Sequence, residues 1–152
     1  MAYTTAEARA GMLEEIGQAA DQLALAIACL NQAYELLDES AADRLEADLF
    51  RPVQLTYGRL QRTHAEFAAR TGGTPRAFAP QSAGAPSQGA KAFIERAVSS
   101  AATAAQLIAD LQDSMLPIEV GDPALRAELS DARSKLDVLP ARARELLRTL
   151  GR

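Results

Sequence analysis

His64 is the only histidine and Cys29 the only cysteine in this chain, so acid–base, nucleophilic and metal chemistry have few places to reside. Cys29 sits in the apolar run Leu23–Leu30 with alanine and leucine for neighbours, the setting of an inert buried thiol rather than a nucleophile, which needs exposure and nearby positive charge. One cysteine also excludes an internal disulfide and a cysteine-based cluster, as expected of a reducing compartment. A di-metal bundle centre needs paired Glu-x-x-His repeats, and none occurs. There is likewise no phosphate loop, no dinucleotide fingerprint and no serine–histidine–acid set in a suggestive context. No metal or cofactor is expected.

His64 belongs to Arg59-Leu-Gln-Arg-Thr-His64, an arginine followed by histidine after four residues. This resembles the R-x4-H motif of the HEPN ribonucleases, helical bundles of comparable length. The resemblance covers about one and a half helical turns. It implies that two protomers would bring Arg59 and His64 together to cleave RNA without a metal. Leu60 stands where that family usually carries a polar residue, and Phe67 stands near the position of a frequent tyrosine.

The elements that must position these residues are helices. Leu13, Ile16, Ala20, Leu23, Ile27, Leu30, Tyr34 and Leu37 alternate steps of three and four, one core-facing stripe from residue 5 to about 39. Thr4 and Glu7 form a capping box at its start. Ser40–Asp43 reads as a new N-cap, so the chain reverses near 40. The alternative is a helix running on to Phe50 with Pro52 opening the next. A second helix over 41–71 presents Leu49, Val53, Tyr57, Leu60, His64 and Phe67, with Pro52 inside it at the cost of a kink. Gly72-Gly73 end it, and residues 72–89, rich in Pro, Gly, Ser, Ala and Gln, form a long flexible loop. A third helix over 90–116 carries Phe93, Ala97, Ala101, Ala104, Ile108, Leu111 and Met115. A fourth over 123–150, opened by Asp122-Pro123, carries Leu125, Leu129, Ala132, Leu136, Leu139, Ala143, Leu146 and Leu150, with a kink at Pro140.

These stripes predict an all-α protein, a single-domain four-helix antiparallel bundle in up-down-up-down order. Its length of 152 residues and 48% hydrophobic content support one core. A turn at 40 sets His64 opposite Glu15 and Ile16, near Arg62 and the 72–89 loop. Glu15, Arg62 and His64 are therefore the candidate ligand-binding residues. The basic ends of helices two and four would meet the acidic start of helix one, where surface ion pairs suffice to explain them. With 16 basic against 20 acidic residues there is no general attraction to DNA, and no apolar run is long enough to span a membrane. The expectation is a cytoplasmic, non-enzymatic interaction or scaffold protein whose partner is another protein or a second copy in a homodimer. The competing expectations are a small-molecule-binding bundle with its pocket at the loop end, and a HEPN-like nuclease acting on RNA.

Overall fold

A computed structural model describes residues 5–85 and 89–150, and every regular element among them is helical. Helix α1 spans Thr5–Leu36; Thr4, its expected cap, lies outside the described residues. The chain reverses at Leu37–Asp38, and Asp38 rather than Ser40 caps the next helix, its Oδ1 accepting the Ala41 amide at 2.9 Å. An anionic cap at a helix start gains from the macrodipole as well as the hydrogen bond.

The second rod is α2 (Glu39–Leu45), a π-helical turn (Glu46–Phe50) and α3 (Arg51–Thr71). Pro52 explains the π turn. It has no N–H for the Asp48 carbonyl and its ring would strike that group, so the turn before it widens, with the Arg51 amide donating to the Glu46 carbonyl. The freed Asp48 carbonyl accepts from Arg142 Nη1 at 3.3 Å. Gly72, with φ 69°, closes α3 in the left-handed conformation as expected.

Helix α4 spans Ala90–Asp113, shorter than expected. Met115, at φ 66° and half exposed, leaves the predicted stripe, and the presumed connection folds into the short α5 (Leu116–Val120). Asp122 caps α6 (Pro123–Asp137) as predicted. Pro140 breaks the fourth helix rather than kinking it, and α7 covers Leu139–Leu150.

Ion pairs and neighbours set the helix directions. Arg59 meets Glu128 and Arg70 meets Asp122, so α3 runs antiparallel to α6. Tyr57 stands near Asp21 and His64 near Leu13 and Glu14, so α1 runs antiparallel to α3. The end of α4 joins α6 through Gln112 with Ser130 and Arg133, while Arg96 near the start of α4 stands by Cys29. Helix α4 therefore runs antiparallel to α1 and parallel to α3. The expected up-down-up-down order does not hold.

The composition of residues 72–89 predicts a long flexible loop and does not show how far that loop travels. The connection must travel the length of α4, whose 24 residues rise about 36 Å. Fully extended, residues 72–89 reach about 55–60 Å, so the crossing is feasible. The crossover also moves the C-terminus. Helix α7 packs against α2 and the π turn, so its arginines lie at the end where α1 finishes, not at its acidic start.

Helix α1 is the centre of the core. It packs on α3 and on α4, and its buried residues include Met12, Ala19, Ala26, Cys29 and Ala33 besides Leu13, Ile16, Ala20, Leu23 and Leu30 of the expected stripe, whereas Ile27 is half-buried. The small residues Ala19, Ala26 and Ala33 on α1 and Ala97, Ala101 and Ala104 on α4 are all buried, which lets the two backbones approach closely. Tyr34 and Leu37, at the end of the stripe, are not buried.

Candidate functional site

The crossover is anchored along α1 at successive points. Arg76 reaches over Gly17 to Asp21, Nη2 to Oδ2 at 2.6 Å, and a Cβ at residue 17 would stand 2.5 Å from Arg76 Nη1. Its guanidinium also lies 4.8 Å from the centre of the Phe78 ring, a cation–π contact. Phe78 packs against the core and meets the His64 ring edge-on at 5.4 Å. Ala83 is buried, and its carbonyl accepts from Arg96 Nη1 at 2.6 Å. Residues 73–85 lack helix, as their composition predicts, but they form a strap held by side chains on α1, α3 and α4.

Two clefts flank this strap. The larger, about 680 Å³, lies between α1 and α3 beneath Phe78–Gly84. Its floor is Ala24, Ile27 and Ala28, its aromatic walls are Phe50, Tyr57 and Phe78, and its polar groups are the carboxamides of Asn31, Gln32, Gln54, Gln61 and Gln81. No charged side chain lines it. Through Asn31, Phe50 and Gln54 it continues into a shallower recess of about 220 Å³ bounded by Tyr34, Glu35 and Glu46. The two make one trough with an uncharged body and an acidic mouth. Burial, helped by Asp21 and opposed by Arg76, raises the Tyr57 hydroxyl above its ordinary range, so it stays protonated and able to donate.

The smaller cleft, about 440 Å³, lies where α1 begins and α3 ends, lined by Arg9, Glu14, His64 and the chain from Thr71 to Arg76. His64 is only 3% exposed. Burial and then the Arg76 charge lower its tendency to protonate, against Glu14 and the Leu13 carbonyl, so at neutral pH it is the uncharged imidazole. Its Nδ1 and Arg9 Nε, both buried, have no hydrogen-bond partner among the described residues.

The structure separates the residues expected to act together. Arg59 Nη2 meets Glu128 at 3.0 Å and its Nε lies 3.7 Å from Asp131, while His64, five residues on and about 140° around α3, faces the strap. Glu15 and Arg62 do not line the His64 cleft; Glu14, Arg9 and Arg76 do, because the reversal at 37–38 brings Leu13 and Glu14 to His64. Cys29 is fully buried, and desolvation raises its thiol above the ordinary range.

The trough residues went unnoticed because carboxamides carry no charge and match no motif. One signal did point to them: α1 has no charged residue from Gln22 to Tyr34, on any face. A helix without a charged side needs cover all round, and α3, α4 and the strap supply it.

Among the described residues no group of three or more His, Cys, Asp and Glu is placed to hold a metal ion, and no helix is long and apolar enough to cross a membrane. Comparison with protein-family models, with curated proteins and with solved structures finds no match.

Proposed function

We propose that this chain is a non-enzymatic interaction module that takes an extended segment of a partner protein, uncharged in its body and basic at one end, into the trough between α1 and α3. Counting α2–α3 and α6–α7 as single rods, we read the scaffold as a four-helix bundle with antiparallel neighbours and one long crossover. The observation that carries the function is the lining: five carboxamides and no charged side chain, over an apolar floor, leading to Glu35 and Glu46. Carboxamides both donate and accept, as peptide N–H and C=O groups require, and they do so without selecting a charge. From Phe50 to Gln61 the wall is about 16 Å long at 1.5 Å per residue, the length of about five extended residues. The acidic mouth favours a lysine or arginine and repels a carboxylate.

Fluorescence anisotropy with a fixed panel of labelled octapeptides tests this, each with the same uncharged body and ending in either two lysines or two glutamates. The lysine-ended peptides should bind saturably and at least about tenfold tighter, a difference of about 1.4 kcal/mol. Glu46→Gln should shrink that preference, and Gln54→Lys should weaken binding of the lysine-ended set. Absence of saturable binding by any peptide, or equal binding of both ends, would overturn the proposal. A protein that only self-associates, seen as a dimer by sedimentation with no peptide uptake, would do the same.

A further inference from the structure

We infer that the His64 cleft binds a small oxyanion, a carboxylate or a phosphate group, together with one proton shared between the anion and His64 Nδ1. The site is independent of the trough and rests on two buried, unpartnered polar atoms whose residues line one cleft. Arg9 Nε is a donor under any condition and requires an acceptor. His64 Nδ1 belongs to a ring that is 3% exposed, lines the same cleft and has no partner among the described residues. Natural proteins seldom leave such atoms unsatisfied, because their desolvation is then uncompensated.

An oxyanion satisfies both atoms. One oxygen accepts from Arg9 Nε, and a second meets Nδ1 across a single proton. With a carboxylate, that proton comes from solvent onto His64, and the imidazolium donates to the anion. With phosphate it resides on the ring or on the phosphate oxygen, and the proton count is the same: one more than neutral His64 with the hydrogen phosphate dianion.

The charged groups around the imidazole fit this assignment. Arg9 and Glu14 approach from α1, and Arg76 approaches from the strap. Arg76 is met by Asp21, and Glu14 lies exposed at the rim, accepting from Gln18 Nε2 at 3.2 Å. From α3 the cleft receives His64 and the uncharged Thr71. A cation would face Arg9 and Arg76 with only the rim carboxylate to hold it. A neutral amide would satisfy the hydrogen bonds without using the charge.

Because His64 is the only histidine, its imidazole resonances report on the cleft without ambiguity. Its titration is followed by NMR in sodium phosphate, sodium acetate and sodium chloride at matched ionic strength. The site predicts that phosphate, acetate or both raise the protonation midpoint by about one pH unit over chloride, since an anion beside an imidazole favours its charged form. Phosphate alone acting identifies a phosphate-bearing ligand, and acetate alone a carboxylate. Arg9→Gln should abolish the anion effect, read as the difference between each anion and chloride measured on the same variant. An equal midpoint in all three salts, or an anion effect that survives Arg9→Gln, would overturn the assignment and leave His64 a buried structural residue.

Discussion

Replacing Gly17 by alanine measures how firmly the strap is seated on α1. In a helix interior, glycine to alanine should stabilise by up to about 1 kcal/mol. Gly11, exposed on the same helix with nothing within 4 Å of an added Cβ, should show that gain. At Gly17 the added methyl would stand 2.5 Å from Arg76 Nη1, closer than any real contact, so the guanidinium must move. The move breaks the 2.6 Å bond to Asp21 and takes Arg76 off the Phe78 ring. An exposed pair is worth about 0.2–1 kcal/mol and an exposed cation–π contact about 0.5–1 kcal/mol, which together offset the propensity gain. Gly17→Ala should therefore leave stability within about 0.5 kcal/mol of the wild type while Gly11→Ala raises it. In urea unfolding, with a slope of about 2 kcal/mol/M, the two midpoints should differ by about 0.3–0.5 M. Equal stabilisation by both substitutions would show that Arg76 does not rest on Gly17, and the anchored strap would fail with it.

Two further substitutions probe the ends of the same construction. Phe78→Ala removes a half-buried ring, about half the cost of a fully buried one, so about 2 kcal/mol and a melting temperature about 4–8 °C lower by calorimetry. It should also wet His64. In the wild type that histidine's midpoint lies below its ordinary 6.5, so its stabilising contribution is complete above pH 6.5 and is lost as pH falls through 6.5 and the lower folded value. The variant should show a flatter stability profile in that window. Asp122→Ala should cost about 1–2 kcal/mol in urea unfolding, because this carboxylate caps α6 and also pairs with Arg70 through two 3.0 Å bonds. Burial pushes the Asp122 carboxyl up, but the Leu125 amide and Arg70 outweigh it and hold it below the ordinary 3.8. That contribution is complete above pH 3.8 in the wild type and lost as pH falls through the lower folded value, a loss the variant should lack.

Hydrophobic period carried most of the helical content. The stripes on α3, α4 and α6–α7 are buried almost residue for residue, because a 3.6-residue period leaves little choice about which side faces inward. Connectivity was not readable in the same way. A hairpin and a crossover use the same glycine-rich composition, and it takes the packed structure, with Arg96 beside Cys29 and Gln112 bonded to Ser130 and Arg133, to show that α4 runs beside α1 in the direction of α3. Pro52 in a helix predicts a kink, whereas one widened turn absorbs it and hands the spare Asp48 carbonyl to Arg142. His64 stands out in the sequence as the only histidine, and in the structure it lines a cleft beside the start of the strap. Its partners slipped from Glu15 and Arg62 to Glu14, Arg9 and Arg76, because a cap two residues earlier shifts antiparallel register. The trough was hidden for another reason: glutamine and asparagine have no period, charge or motif of their own, and their convergence on one groove is a property of the packed fold.

The most direct test of the proposed function is a two-dimensional ¹⁵N NMR titration of the full chain with the lysine-ended octapeptide, following side-chain amides. The carboxamide signals of Asn31, Gln54, Gln61 and Gln81 should move together and saturably, while that of Gln106, on the exposed side of α4, stays still. Movement confined to residues outside the trough, or no saturable movement among these four, would contradict it.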